Sequence, residues 1–187
     1  MRHKESIATI LSFWFDEIEP KQWFIKDTNF DNQIKVRFEP LVKRALAGQL
    51  DSWSETAEGN LALILLLDQM TRNIYRNMPM SFAGDDMALA FSLKGIDRND
   101  HTTLTDDADN NRLKFLFMPM MHAEDLAIQD KSLPLFKTYC DEQTYKYAVL
   151  HRDIIARFGH FPHRNAILGR PSTDEEIAFL KEPNSSF

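Results

Sequence analysis

Seven consecutive apolar residues, Leu61–Leu67 (LALILLL), lie in the middle of a stretch with no glycine or proline between Asn60 and Asn77. A helix through this stretch is apolar on every side, and such a helix is buried on every side. The rest of the chain must therefore wrap it. Ser54 or Thr56 supplies a capping residue to open the helix, which runs to about Arg76 before Asn77, Met78 and Pro79 end it. With 43% hydrophobic residues, fourteen Phe and three Trp among 187 residues, the chain has the apolar material for the wrapping. That length fits a single domain over 1–187.

The flanking segments carry helical period. Ile7, Ile10, Leu11 and Trp14 share one face behind Ser6 as a cap. Phe30, Ile34, Phe38, Leu41 and Ala45 trace a stripe closed by Gly48, where a left-handed residue is wanted. Trp23 and Phe24, in the connection, are placed to cover the core as a lid. Asp85 to Leu93 makes a shorter helix finished by Gly95, and the following loop, DRNDHTTLTDDADNN, carries five Asp and little to bury. Pro119 interrupts the pattern that resumes at Asn111, either as a kink near Phe115 or in the first turn of a new helix. Ser132, Thr144 and Ser172 open further helices, the last with Glu175 at capping-box spacing. Period-two alternation is missing throughout. The expected fold is all-α, with roughly eight or nine helices packed as tetratricopeptide-like helical hairpins, although no repeat near 34 residues is readable.

A formal net charge of −6 and a pI near 5.5 argue against a nucleic-acid surface, which needs a basic face. The lone Cys140 excludes an internal disulfide framework and reads as a small buried thiol. Arg2, His3 and Lys4 precede an apolar run, but it ends in Phe13, Trp14, Phe15 and then acids, with no small-residue cleavage site, so a signal peptide is not expected. The Leu61–Leu67 run is far shorter than the roughly 20 residues that span a bilayer. A cytoplasmic protein without a membrane partner is the expectation.

Chemistry concentrates in a few places. Asp68, Arg72 and Arg76 stand at i, i+4, i+8 on the central helix, where two guanidiniums one turn apart can hold a carboxylate or phosphate. The same spacing also describes an Asp68–Arg72 surface ion pair. His122 and Asp125 are spaced as an oriented base or a ligand pair would be, or as a capped structural histidine. The densest stretch is His151–Gly169, with three His, three Arg and one Asp in nineteen residues. There Asp153 and Arg157 read as a helix-surface pair, and His151 shares its face with Tyr147, Ile154 and Ile155 and points inward. Gly159 stops that helix and Pro162 holds Phe161 extended. His163, Arg164 and Asn165 then stand at the mouth of a short helix ending at Gly169, either as an anion site or as pins for the turn.

The motifs SFWFDE, the pair Trp23–Phe24, LALILLLDQMTRNIYR, FLFMPMMHAEDLAIQ and HRDIIARFGHFPHRNAILGRPSTDEEIAFL closely resemble the bacterial family known as domain of unknown function 924, over about Ile7 to Leu180. The resemblance implies a helical, tetratricopeptide-like arrangement and no particular activity. Its matched polar positions are Asp68, Gln69, Arg72, Asn73, Arg76, His122, Glu124, Asp125, Gln129, His151, Arg152, Asp153, His163, Arg164 and Asn165. The chain departs from the family pattern at Ala123, where Ser is usual, and at His160, where Arg is usual. Neither position is therefore assigned a catalytic role.

Three readings follow. In the first, Asp68, Arg72, Arg76, His122, Asp125, His151, His163, Arg164 and Asn165 line a cleft for a small anionic ligand, with Arg72, Arg76 and Arg164 pairing its charge. The second is metal-assisted hydrolysis with His122, Asp125, His151 and His163 as ligands and Glu124 or Asp153 as base. The third is a helical scaffold holding a protein or peptide partner in a groove. No cofactor is expected, because GxGxxG, P-loop and GxSxG fingerprints are missing.

Overall fold

A computed structural model of the chain describes residues 2–105 and 110–186, with side chains from Ser6 onward. All regular elements among the described residues are helical, so the fold is all-α. The central helix consists of α3 (Ala57–Ile64), a π-helical turn (Leu65–Met70) and α4 (Thr71–Ile74). Thr56 caps it, its hydroxyl accepting from the Gly59 N–H at 3.1 Å. Residues 59–71 are buried without exception, as an all-apolar helix requires. Each of its large aliphatic side chains stabilises the fold by about 1.5–3 kcal/mol.

Four helices surround it: α1 (Arg2–Ser12), α2 (Thr28–Leu46), α5 (Asp85–Asp97) and α6 (Asn111–His122). Outside α6 lie α7 (Leu126–Tyr139) and α8 (Glu142–Phe158), packed on each other and on α6. A 3-10 turn (Pro162–Arg164) then leads into the single turn α9 (Asn165–Leu168) and the short α10 (Asp174–Phe179). Trp23 is buried over Phe115, with ring centroids 5.0 Å apart, while Phe24 beside it is 62% exposed. The Cys140 thiol is partly buried, which pushes its pKa up to about 12. No helix among the described residues is long and apolar enough to cross a membrane.

Several boundaries differ from the sequence expectation, each for a local reason. The first helix already runs at Arg2, so Ser6 is inside it. Helix α6 continues through Pro119, whose missing N–H affects only the preceding turn. Helix α7 starts at Leu126 rather than Ser132, because the Asp125 carboxylate accepts from the Ala127 and Ile128 N–H groups. Helix α8 starts under Asp141, which holds Thr144 in its first turn. The last capping box is Thr173 with Glu176, one residue beyond the Ser172–Glu175 pair. The acidic loop is better anchored than its composition suggests: Leu104 is fully buried and Asp100 is gripped by Arg98 at 2.6 and 2.7 Å. Residues 106–109 of that loop lie outside the described residues.

Gly95 does not end α5 but sits inside it, two residues before Asp97. A Cβ there would lie 2.5 Å from Asn60 Nδ2, 2.9 Å from Asp100 Oδ2 and 3.1 Å from Leu116 Cδ1. The glycine is needed for close approach of α5 to the central helix and α6. Replacing a mid-helix glycine by alanine ordinarily stabilises by about 0.5–1 kcal/mol. Gly95→Ala is expected instead to destabilise by about 1–3 kcal/mol through overpacking, measured by urea unfolding; a more stable variant would refute the packing argument.

Candidate functional site

The π turn places Asp68 and Gln69 at the inner end of the central helix, among apolar side chains. Asp68 is fully buried. Its Oδ1 accepts from His122 Nδ1 at 2.7 Å and meets an Arg72 guanidinium nitrogen at 3.1 Å, while Gln69 donates to Oδ2. Burial by itself would raise the carboxyl pKa, but Arg72, His122 and Gln69 together outweigh it and hold Asp68 well below the usual carboxylate range. The turn's loosened backbone is also satisfied by side chains: the Thr71 hydroxyl donates to the Leu67 carbonyl at 2.8 Å, and Arg72 donates to the Asp68 carbonyl.

From Arg72 the contacts run outward and return. Its two terminal nitrogens donate to the carboxylate of Asp85, the first residue of α5, at 2.9 and 3.1 Å. Arg164 donates to the same carboxylate at 3.1 Å and, through its other terminal nitrogen, to the His122 carbonyl at 3.1 Å. Side chain and carbonyl of His122 thus close a ring through Asp68, Arg72, Asp85 and Arg164, tying the central helix, α5, α6 and the 3-10 turn together. The Arg164 guanidinium lies over the Phe82 ring at 4.7 Å and the Phe161 ring at 4.6 Å.

Beside this ring is a cavity of about 840 Å³. Arg72, Asn73 and Gln69 face it from the central helix, Arg76 from the turn just after it, His122 and Met121 from α6, His151 and Tyr147 from α8, and His163 and Arg164 from the 3-10 turn. Trp23, Phe24 and Ile25 stand at one side and Ile167 at another. The His122 and His151 ring centroids are 6.1 Å apart. His151 Nδ1 lies 2.8 Å from the Tyr147 carbonyl, which fixes the proton on that nitrogen. Burial drives His151 down to about 3, with His122 adding to it, and His163 down to about 4, with Arg164 adding to it. His122 is lowered as well, burial and Arg72 outweighing Asp68 and Asp85. At neutral pH all three are uncharged imidazoles.

Of the residues expected from the sequence, Arg72, Arg76, His122, His151, His163 and Arg164 line one cavity, with Asp68 directly behind them. Asp125 does not join them, being the exposed cap of α7. Asn165 is buried and donates to Ser172 and Glu176, which pins the turn. Arg76 meets the cavity but is held by Asp31 of α2 at 2.6 and 2.7 Å. Asp153 pairs with Arg152 and not with Arg157, which reaches Glu175 at 2.9 Å. Glu124 is spent on Arg170 and the Phe161 N–H. The metal set does not assemble: among the described residues no three His, Cys, Asp or Glu side chains converge as an ion requires. The sequence reading missed Asp85 and Asp31, since no local spacing marks partners that are 13 to 79 residues apart, and Phe82, whose ring lies under Arg164. It also paired His122 with Asp125, whereas the structure pairs it with Asp68, 54 residues away.

A histidine whose folded pKa lies below its unfolded value leaves stability intact above about pH 6.5 and removes it as pH falls, because only the unfolded chain takes the proton. Unfolding free energy is expected to be flat from pH 8 to 7 and to decline from 6.5 towards 5. Each buried imidazole contributes a limiting slope of about 1.4 kcal/mol per pH unit. In urea titrations at pH 6.5, 6 and 5, His151→Gln should reduce the slope by about half a proton at pH 6.5 and nearly one at pH 5; an unchanged slope would contradict the buried neutral assignment.

Comparison with known proteins places this arrangement in a family. A model for a bacterial protein family of unknown function, number 924, matches residues 10–184. A solved structure of a protein of unknown function from Agrobacterium tumefaciens is 39% identical, with a TM-score of 0.86 over 94% of this chain and 96% of that one. No match was found among curated proteins. The helical core and the cavity described above are those of a chain that belongs to the bacterial family of unknown function 924.

Proposed function

We propose that the cavity binds a small organic anion, with its carboxylate or phosphate group at Arg72, Arg76 and Arg164 and its apolar body against Trp23, Phe24, Met121 and Tyr147. The observation that carries this reading is convergence: three guanidiniums and three imidazoles, drawn from the central helix and the turn after it, α6, α8 and the 3-10 turn, face one space of about 840 Å³. Arginine forks suit planar oxyanions, and they act strongly where water is scarce. Their partly paired state suits the role, because Asp68, Asp85 and Asp31 hold the cationic groups in place and keep their charge from destabilising the empty fold.

Size and lining select the ligand. A bare phosphate would fill little of the cavity, and the aromatic residues on its wall favour an aryl or acyl chain attached to the charged group. Phe24 and Ile25 remain 62% and 52% exposed and supply apolar surface for that chain.

Thermal unfolding at pH 7 in the presence of benzoate, hexanoate or inorganic phosphate tests the reading. A ligand at 100 times its Kd contributes about 2.7 kcal/mol, a rise of roughly 5–10 °C for a chain of this size. Benzoate or hexanoate is expected to exceed phosphate. The response, measured against each variant's own unliganded baseline, should be lost in Arg72→Ala and Arg164→Ala. If both variants keep the wild-type response, the anion site is elsewhere and the reading fails.

A further inference from the structure

We propose that His122, aimed by Asp68, is a general base that activates water against a carboxylic ester bound in this cavity, so that the chain is a metal-independent hydrolase. The proposal rests on the anion-binding reading, since the acid released is the ligand which that reading predicts.

The geometry distinguishes His122 from its neighbours. Its Nδ1 is 2.7 Å from Asp68 Oδ1 and therefore carries the ring proton, which leaves the lone pair on Nε2. Among the described residues Asp68 is the imidazole's one hydrogen-bond partner, and the ring itself lines the cavity. Asp68 cannot swing away: it is fully buried, with Gln69 on one oxygen and Arg72 on the other. When the imidazole takes a proton, the new charge lies against an ionised carboxylate. The His151 Nδ1 faces a neutral backbone carbonyl instead. Asp68 is thus a positioning residue and His122 the group that meets the substrate. Arg72 contacts the same Asp68 oxygen as His122 does, so a cation stands beside the base and faces the same space.

In the step, a water O–H bond breaks and its proton passes to Nε2, while the water oxygen bonds to the ester carbonyl carbon. The carbonyl electron pair moves onto its oxygen, next to Arg72. The bond from carbon to the alcohol oxygen then breaks as Nε2 returns its proton to that oxygen. Carboxylic acid and alcohol leave, and the imidazole is neutral again. The charged and titratable groups around His122 are Asp68 and Arg72 on the central helix, Asp85 on α5, His151 on α8, and His163 and Arg164 in the 3-10 turn. Burial leads among them and keeps the base unprotonated at pH 7.

The test is p-nitrophenol release from p-nitrophenyl benzoate and p-nitrophenyl hexanoate by the wild type, His122→Gln and Asp68→Asn. Loss of general-base action costs about 10²–10⁴-fold. The expected result is a kcat at least about 100-fold lower in His122→Gln with KM within about threefold, and a smaller loss in Asp68→Asn. The wild-type rate should be flat above pH 7 and fall only at a pH lower than the ordinary imidazole value of about 6.5, because burial lowers the base. Because Asp68 is wholly buried, the tautomer is read independently on the wild type by long-range ¹⁵N–¹H NMR, which should show His122 protonated on Nδ1. An Nε2–H tautomer, a His122→Gln kcat within about threefold of wild type, or no ester turnover above buffer each overturns the proposal. Benzoate stabilisation without ester turnover would sink the base and leave the anion reading standing; neither response would sink both.

Discussion

An ionised carboxylate at the heart of an apolar helix is the constraint on which this structure turns. Removing Asp68 from water costs several kcal/mol, which is recovered only with close, well-aligned partners. His122, Arg72 and Gln69 supply them, and each brings a further requirement. The terminal N–H donors of Arg72 need further acceptors, which the Asp85 carboxylate provides from the start of α5. Asp85 in turn draws in Arg164, and Arg164 returns to the carbonyl of His122. Breaking one member of such a buried set typically costs about 3–5 kcal/mol, because a charge is left unmatched. The ring therefore fixes where four separate elements stand relative to one another.

The π turn makes this possible. Widening one turn of the helix opens carbonyls that a regular α-helix would occupy, and side chains fill the vacated roles: Thr71 bonds the Leu67 carbonyl and Arg72 bonds that of Asp68. The backbone also comes close to this turn, where a Cβ at Gly84 would come within 2.3 Å of the Leu67 carbonyl oxygen. The chain just before α5 is thus pressed against the turn, which puts Asp85 within reach of Arg72. Local helix geometry, glycine placement and ion pairing are one arrangement.

The cavity inherits its chemistry from the same ring. Its cations are held by carboxylates behind them, and its imidazoles are kept neutral by burial. Neutral imidazoles with one nitrogen committed to a fixed partner have a defined tautomer, so they present a lone pair in a known place. Preorganised donors and acceptors in a water-poor space are the general condition for selective binding and for proton transfer. The aromatic residues at the side of the cavity add apolar surface where a ligand body would rest.

Much of this was legible from local patterns. The all-apolar run at Leu61–Leu67 dictates a buried central helix, and the Phe30–Ala45 stripe with Gly48 dictates α2, because periodicity and left-handed stops depend only on neighbours in sequence. The same holds for Gly159 and Gly169, which end their helices at φ +75 and +67. Inward-facing His151 follows from its helix face. Residue types do not reveal partners that are distant in sequence. Asp85 looks like any acid in a first turn, Gly95 looks like a stop, and His122 looks matched to Asp125. Asp125 is instead taken up locally as the cap of α7, and only packing brings Asp68 to His122 across 54 residues. Local propensity determined by itself which segments are helical; the need to neutralise one buried charge, which only the folded chain can meet, decided which polar residues share a site.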